Sequence, residues 1–461
     1  MLTGLAFTAF FLGLLALALW RHPVFGLYAY LAAFYVHPPS RWWSAMLPDL
    51  RWALLAGVVT LVAIYIHRNK LAKAPPWFSN AAAAILASYC AWLWVQNAWA
   101  LDRGAHYAAS VQFTKYLVAF YFCYRILDTP AGLRDFLLVH LCGCAYLGFQ
   151  AFLSNNFQGG RLNGVGGPGI DDANTLGMFL ATGVVAGAAL ALSQSGWRRN
   201  LTFAGLALSM NGLVLTASRG AFLGLIGGGG VVSALHPRRF RGRLVVLATI
   251  AAVGFVAVAD QRFIQRMYSL FAVWERSEEI DMSAESRFEI KAAQWRMFLD
   301  YPLGSGHKGT AVLSPLYLDD KWLTRAHNGE GPLGRSSHNT FFTTLTEQGI
   351  VGALLFSALV LWVLFAALRI FLLRHRVPDS TQPVIAAGLC GGVMVVLAAG
   401  VGTDYLMAEV QFWFLAGLVC ALRLLKSAAS VPAIATRAMN VPSERGGMAL
   451  PQPMQRSEHQ P

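Results

Sequence analysis

Charged side chains are scarce in this sequence. Asp, Glu, Lys and Arg make up 13% of its 461 residues, whereas 56% of the residues are hydrophobic. Soluble globular domains carry about 25% charged residues. The apolar residues are gathered in long blocks, and the alternating pattern of a membrane β-barrel is missing. The sequence therefore predicts an all-α, polytopic helical membrane protein.

Cysteine is also rare, and all six cysteines fall inside apolar blocks. Cys142 and Cys144 are too close in sequence for an ordinary disulfide, and no cluster of Cys and His has metal-ligand spacing. We expect the cysteines to be small packing residues, and we expect no metal and no cofactor. A phosphate-binding P-loop is missing as well. In a membrane protein, the net charge of +13 reflects basic residues in the cytoplasmic loops. It indicates contact with anionic lipid and not with nucleic acid.

Thirteen apolar blocks are candidates for membrane spans. They lie near residues 2–20, 24–37, 51–66, 80–97, 109–127, 135–153, 174–193, 201–216, 220–235, 243–259, 340–373, 383–402 and 407–424. The first block lacks a basic start and a cleavage site, so we interpret it as a retained span. The second block is short. We therefore expect about 12 transmembrane helices and leave the side of the N-terminus open.

Connections rich in Lys and Arg should be cytoplasmic. The clearest are residues 67–76, 196–200, 236–243 and 374–376, and an even number of blocks separates them. The opposite face then receives one large polar insertion, residues 260–339. We predict a transmembrane domain over 1–425 that includes this large periplasmic loop. The tail, 426–461, is rich in Ser, Pro and Arg and is predicted to be disordered in the cytoplasm.

The large loop contains the stretch "RFEIKAAQWRMFLD" at 287–300. Its apolar residues recur at helical spacing, which predicts an amphipathic helix near the membrane interface. The following "YPLGSGHKG" should end that helix. A loop of this length is usually functional or disordered, and its aromatic residues and glycines favour a functional loop.

Arginines on the outer face are candidate binding residues, because positive charge is biased towards the cytoplasm. Arg219 lies in a short break between two apolar blocks. It could reach outward to lipid phosphate, or it could hold an anionic substrate group. Arg161 lies in a glycine-rich stretch that could equally be a flexible turn. Arg287, which opens the amphipathic helix, could be a simple surface charge. Arg262 and Arg266 share one helical face that could meet either lipid or substrate.

His338 stands between a polar stretch and an apolar block, in "SSHNTFFTTLTEQGIVG". Imidazole is the side chain best suited to accept a proton near neutral pH. The alternative is that this histidine only marks the start of a helix. A second His-Asn pair occurs at 327–328. Residues alone leave both alternatives open.

The same stretch resembles the H-N-x9-G-x-x-G pattern of the O-antigen ligase (WaaL-like) and O-antigen polymerase superfamily, with His338, Asn339, Gly349 and Gly352. Applied to 327–328, the pattern puts His338 where glycine is required, so it selects His338. Asn339 and the glycines would orient and pack the helix, and Asn339 is a weaker candidate for substrate binding.

Three further stretches carry the resemblance. "SRGAFL" is similar to an R-x3-L element with Arg219, "SRFEIKAAQWRMFLDYPLGSG" to the loop helix with Arg287, and "GGRLNG" to an outer-face loop with Arg161. The N-terminal "FYVHPPSRWW" resembles the O-glycosylation ligases of exosortase-linked systems, which leaves the acceptor open.

The resemblance implies a glycosyltransferase of the GT-C type in the bacterial inner membrane, with its active site facing the periplasm. It would transfer a glycan from undecaprenyl diphosphate to a hydroxyl of the lipid A-core, without metal or cofactor and with inversion. His338 would be the general base, and Arg161, Arg219 and Arg287 would bind the diphosphate. The alternatives in the same class are an O-antigen polymerase and a protein O-oligosaccharyltransferase.

A transporter of lipid-linked glycans is an alternative of another class. Such a protein would be expected to carry charges in mid-membrane and internal repeats. The sequence has no evident repeat, and the candidate arginines gather at one face. A membrane scaffold would not need arginines at several helix ends. The sequence therefore favours the transferase.

Overall fold

A computed structural model describes residues 2–158, 161–258, 264, 282–325, 333–377 and 380–430. The helices are Leu2–Trp20 (α1), Val24–Val36 (α2), Trp52–Ile66 (α3), Ala81–Gln96 (α4), Arg103–Ile126 (α5), Pro130–Leu153 (α6), Ala173–Ser193 (α7), Gly196–Thr216 (α8), Arg219–Leu235 (α9), Arg241–Val258 (α10), Met282–Asp300 (α11), Gly309–Tyr317 (α12), Thr340–Leu373 (α13), Gln382–Ala399 (α14) and Val410–Ser430 (α15). Two short antiparallel pairs join Phe157–Gln158 (β1) to Arg161–Leu162 (β2) and Thr324–Arg325 (β3) to Leu333–Gly334 (β4).

The all-α class predicted from the sequence is confirmed, and each of the thirteen apolar blocks is a helix. The last helix ends at Ser430, beyond residue 425, where the sequence placed the end of the membrane domain. The predicted tail beyond Ser430 lies outside the described residues.

Six helices are long and apolar enough to cross a membrane, counting only the part of the chain that the structure describes: α1, α6, α7, α13, α14 and α15. Three further apolar helices, α3, α4 and α9, are shorter. The protein is thus a multi-pass membrane protein, and the number of about 12 spans stays a prediction.

The connections between helices gather at two ends of the bundle. At one end, Arg198 donates to Asp135 at 3.0 Å and Arg239 donates to the Ser380 carbonyl at 2.8 Å, so the basic connections meet there. We call this the basic end. The opposite end holds residues 154–158, 161–172, 301–310 and 400–409, and we call it the loop end.

The first residues of helix α1 lie at the loop end. A Cβ added at Gly4 would lie 3.4 Å from Leu47, in the connection between α2 and α3. At the other end of α1, His67 Nε2 lies 3.0 Å from the Leu19 carbonyl oxygen. Helix α1 therefore runs from the loop end to the basic end. Leu2 and Ser430 are consequently at opposite ends of the bundle.

Helix α9 packs closely along α14 through three glycines spaced four residues apart. A Cβ added at Gly220, Gly224 or Gly228 would lie 3.3, 2.7 or 2.6 Å from a carbonyl oxygen of α14. Small residues at such a spacing let two helix backbones approach each other in a membrane. This contact fixes the start of α9, and with it Arg219, against the end of α14.

Candidate active site

Arg161 lies in the loop between α6 and α7 and is held by hydrogen bonds to α7 and to the end of α8. Gln158 and Arg161 pair in the β1–β2 hairpin. Arg161 Nη2 donates to Asn174 Oδ1 at 2.5 Å, and its Nε donates to the Thr216 carbonyl at 3.3 Å. Asp172 caps α7 by accepting from the amides of residues 174 and 175. The guanidinium therefore lies at the start of α7 and the end of α8.

Arg219 is the first residue of α9 and is only 9% exposed. Ser218 caps the helix by accepting from the amide of Ala221 at 3.3 Å. The same hydroxyl donates to Asn174 Oδ1 at 3.1 Å, so Asn174 joins the start of α9 to Arg161. A cation is unfavourable at a helix N-terminus, where the backbone amides already create positive potential. Two arginines beside the starts of α7 and α9 therefore make this part of the loop end attractive to an anion.

His338 is partly buried and directly precedes the cap of α13. Asn339 Oδ1 accepts from the amide of Phe342 at 3.0 Å, and Asn339 Nδ2 donates to the Val401 carbonyl at 2.8 Å. The amide group is thus used to cap and anchor α13, which is the orienting role that the sequence suggested for it. On the other side of His338, Ser337 accepts a hydrogen bond from Gln294 of α11 at 2.9 Å.

The segment 399–405 brings the two parts of the site to one place. Thr340 donates through its amide to the Gly400 carbonyl at 2.8 Å and through its hydroxyl to the Thr403 carbonyl at 3.0 Å. Gly220, next to Arg219, lies against the Ala399 carbonyl. The start of α13 and the start of α9 therefore contact the same turn after α14. His338 and Arg219 each lie next to a residue that touches this turn.

Helix α11 carries the predicted apolar face on its outer side. Phe288, Trp295 and Leu299 are 63%, 50% and 60% exposed, whereas Ile290 and Met297 are buried against α12 and its neighbours. This exposed apolar face is consistent with a helix at a membrane interface. Arg287 lies in α11, but its side chain falls outside the described part of the chain. Arg262, Arg266 and the pair at 327–328 lie outside it as well.

Gly349, which nine residues separate from the pair His338-Asn339, interrupts α13. Gly349 has φ +67° and ψ −166°, a conformation that residues with a Cβ rarely adopt. The break frees carbonyl groups that bind the segment after α11: the amides of Ser305 and Gly306 donate to the Thr346 and Glu347 carbonyls at 3.1 and 2.8 Å. The spacing in the sequence thus reflects one compact unit made of α13 and residues 302–306.

A group of ionisable residues that sequence reasoning missed lies beside this unit. Glu347 is 4% exposed, and its carboxylate accepts from the amide of Lys308 at 3.0 Å and lies 3.5 Å from His307 Nδ1. Burial, and after it the charge of Glu347, raise the pKa of Asp404 to about 7. Burial lowers the pKa of His307, but its contacts with Glu347 and the charge of Asp404 outweigh this, so the pKa is raised. The signal available in the sequence was a carboxylate within an apolar block.

Arg335 is a second residue that the sequence analysis overlooked. It lies three residues before His338, and its amide donates to Ser314 Oγ at 2.7 Å. Burial lowers the pKa of its guanidinium, and its buried Nε makes no hydrogen bond to any of the described residues. It adds a partly buried cation next to the candidate base.

Within the described ranges, no group of three or more His, Cys, Asp and Glu side chains could hold a metal ion. The metal-independent mechanism stays a prediction. What the site offers is the imidazole of His338 and several guanidinium groups at the loop end of the bundle, which suits proton transfer and the binding of an anion.

Comparison with known families identifies part of the chain. Residues 204–357 match the family model described as O-antigen ligase. The matched region includes Arg219, Arg287 and His338 and leaves out Arg161. No curated protein matches the chain. The family match supports the general conclusion that the protein is a transferase. Residues 204–357 of this multi-pass membrane protein are thus similar to the O-antigen ligase family, which is consistent with the resemblance to the O-antigen ligase superfamily that the sequence motifs carry.

Proposed function

We propose that the protein is an O-antigen ligase-type glycosyltransferase. It moves a glycan from undecaprenyl diphosphate to a hydroxyl of the lipid A-core on the periplasmic face of the inner membrane. The observation that carries this proposal is the shared turn at 399–405. The start of α13, beside His338, and the start of α9, beside Arg219, both contact it. A base and an anion-binding group are thereby held by one small piece of backbone.

In the proposed reaction, His338 takes the proton from the acceptor hydroxyl while the oxygen attacks the anomeric carbon. A new carbon–oxygen bond forms to the acceptor, and the bond from that carbon to the diphosphate oxygen breaks with inversion. General-base catalysis contributes about 10²–10⁴-fold in rate. The proton ends on the imidazole, and undecaprenyl diphosphate leaves as an anion.

Arg161 and Arg219 stabilise the charge that grows on the leaving diphosphate, and Arg287 is proposed to assist them. A guanidinium presents a planar pair of donors that matches phosphate oxygens. Removal of one preorganised donor to such a charge costs about 10²–10³-fold in rate. Asn174 supports this role, because its single amide oxygen binds both Arg161 and the cap of α9.

The acceptor separates this proposal from its alternatives. A polymerase would use a second lipid-linked glycan, and a protein O-oligosaccharyltransferase would use a hydroxyl of a protein. A transporter would move the glycan without bond transfer. The residues proposed as the base and as the diphosphate-binding groups would serve all three transferases, so the acceptor must be identified by experiment.

One experiment tests both the class and the acceptor. The purified protein is reconstituted with an undecaprenyl-diphosphate glycan and offered lipid A-core, a second lipid-linked glycan or an acceptor protein in parallel. We expect transfer to lipid A-core, with loss of about 10²-fold or more in His338→Ala. The control is His375→Ala, which removes an exposed histidine at the basic end. Full activity of His338→Ala would refute the assignment of the base, and movement of the glycan without transfer would indicate the transporter.

A further inference from the structure

A groove on the flank of the bundle lies outside the site described above. It runs between α2, α3 and α5 and has a volume of about 640 Å³. Its walls are mainly apolar and aromatic, with Phe34 and Phe122 on one side and Leu54, Val58 and Leu61 on the other. Leu54 and Val58 are 52% and 50% exposed, so the groove opens to the surroundings of the bundle. Ligand sites of about 300–1,000 Å³ hold molecules of moderate size, so this groove holds one chain and not a large headgroup.

The groove contains a cation where a cation is costly. Lys115 lies near the middle of the 24-residue helix α5, is exposed and lines the groove. Its Nζ lies 3.4 Å from Gln112 Oε1, one turn closer to the loop end, so the side chain points towards that end. The sequence predicts that this part of α5 crosses the membrane, where a charged residue usually faces a cavity or serves a ligand.

The mouth of the groove lies at the loop end and is formed by His37, Pro38, Asp49 and Arg51. Asp49 is the one carboxylate among the lining residues, against the cations Arg51 and Lys115. An apolar channel with cations along it and at its mouth matches a molecule with a hydrocarbon chain and an anionic head.

The mouth adjoins the loop that carries Arg161. A Cβ added at Gly167 would lie 2.2 Å from His37 Cγ, so residue 167 packs directly on the histidine ring. Arg41 Nη1 donates to the Val165 carbonyl at 3.2 Å. The stretch "FYVHPPSRWW", which the proposed site does not use, thus forms part of the mouth and contacts the loop that carries Arg161.

We propose that this groove holds the polyprenyl chain of the lipid-linked donor and directs its diphosphate from the mouth towards Arg161. The inference rests on the proposed function, because it names where the donor of that reaction lies. A single channel fits a lipid with one chain better than a phospholipid, which would have to place a second chain outside the groove. Lys115 and Arg51 attract the diphosphate as the lipid enters from the side.

Photo-crosslinking tests the occupant without any need for catalysis. The probe is a polyprenyl diphosphate that carries a diazirine on its chain and no glycan, added to the full-length protein in lipid nanodiscs. We expect labelled peptides from 53–61 and 114–122, and we expect unlabelled polyprenyl diphosphate to remove the label while excess phosphatidylglycerol leaves it. Label that is absent from these segments, or that phosphatidylglycerol removes equally well, overturns the proposal.

Two matched tryptophan variants test the groove itself. Val58→Trp fills it, whereas Val62→Trp adds the same side chain one turn further along α3, at a residue that is 46% exposed and does not line the groove. We expect Val58→Trp to weaken labelling about tenfold, equivalent to about 1.4 kcal/mol, and Val62→Trp to leave it unchanged. Lys115→Gln should weaken labelling by the diphosphate more than labelling by the corresponding uncharged alcohol.

The transfer assay separates this proposal from the proposed function. Val58→Trp should raise KM for a long-chain donor and leave KM for a donor with a short chain unchanged. Labelling of the groove in a protein that transfers nothing would refute the proposed function alone. Transfer by a protein whose groove is never labelled would refute the groove alone.

Discussion

His307 Nδ1 lies 3.5 Å from the carboxylate of Glu347, and both residues are largely enclosed by the bundle at its loop end. The same carboxylate accepts from the amide of Lys308, and the amide of His307 donates to His106 Nδ1 at 2.8 Å. These three contacts join α5, the segment after α11 and α13. These ionisable residues hold α13 against its neighbours, and the candidate base His338 directly precedes that helix.

The stability of the protein should fall as pH rises through about 7. The pKa values of Asp404 and His307 are both raised in the folded protein, and that of Asp404 is about 7. A raised pKa means that the folded state holds its proton more tightly, so this stabilisation is complete at low pH and is lost as the group deprotonates. Between pH 6 and pH 8 we expect a loss of about 1–2 kcal/mol. Thermal unfolding in detergent at the two pH values measures it.

Asp404→Asn is the control for that pH dependence. It removes the titrating carboxyl and keeps an oxygen that can accept from the amide of Leu406, as Asp404 does at 3.0 Å. The difference in Tm between pH 6 and pH 8 should become smaller in this variant. An unchanged difference would show that other groups cause it.

Gly349→Ala should destabilise the protein strongly. A Cβ at this position would lie 2.2 Å from the carbonyl carbon of Leu303 and 2.5 Å from the amide of Gly304, and the backbone has positive φ. The positive φ alone costs about 1–3 kcal/mol, and the contact with backbone atoms adds to it. Expression yield and Tm in detergent measure the effect.

Gly229→Ala is the matched control for Gly349→Ala. Gly229 also lies inside a long helix, α9, but a Cβ there meets nothing within 4 Å. Since Ala favours the helix over Gly by about 1 kcal/mol, this variant should be as stable as the wild type or more stable. Equal losses in both variants would contradict the role given to the break in α13.

Asn174→Ala should lower transfer without unfolding the protein. The variant removes the oxygen that binds Arg161 and the cap of α9, so the guanidinium loses its orientation. We expect a loss of about 10-fold to 100-fold in kcat/KM, somewhat less than for loss of the guanidinium itself. Asn174→Asp keeps an acceptor but adds a negative charge beside Arg161, so it should weaken binding of the diphosphate donor. Normal activity in both variants would exclude this link.

Asn339→Ala should loosen the start of α13. It removes a helix cap and the hydrogen bond to the Val401 carbonyl, and loss of a cap costs about 0.5–2 kcal/mol. Asn339→Asp retains the cap and loses only the donor to Val401, so its Tm should fall between those of the wild type and Asn339→Ala. If Asn339 contacts substrate instead, both variants would lose activity at an unchanged Tm.

The sequence predicted the helices well because apolar blocks and helix starts are local features. Residues 340–373 were predicted as one block and form α13, and residues 174–193 were predicted as another and lie within α7. The amino-acid sequence did not predict that Thr340 binds Gly400 or that Asn174 joins Arg161 to Ser218. Those contacts depend on how helices pack, which hydrophobic pattern alone does not determine.

Lys115 shows a second limit of sequence reasoning. The pattern of charges suggested that the informative cations gather at one face, yet this lysine lies near the middle of α5. A single charge inside a helix with several polar residues does not stand out by composition. Its proposed functional role follows only from the groove that it lines.

The break at Gly349 also has a consequence for protein engineering. Because the carbonyls of Thr346 and Glu347 bind residues 305 and 306, the large loop cannot be exchanged as an independent insert. A chimaera that takes this loop from a related protein must also take the first ten residues of α13, Thr340 to Gly349, from the same parent. Junctions placed after the break, within the regular part of that helix, should give folded hybrids, whereas junctions at the end of the loop should not.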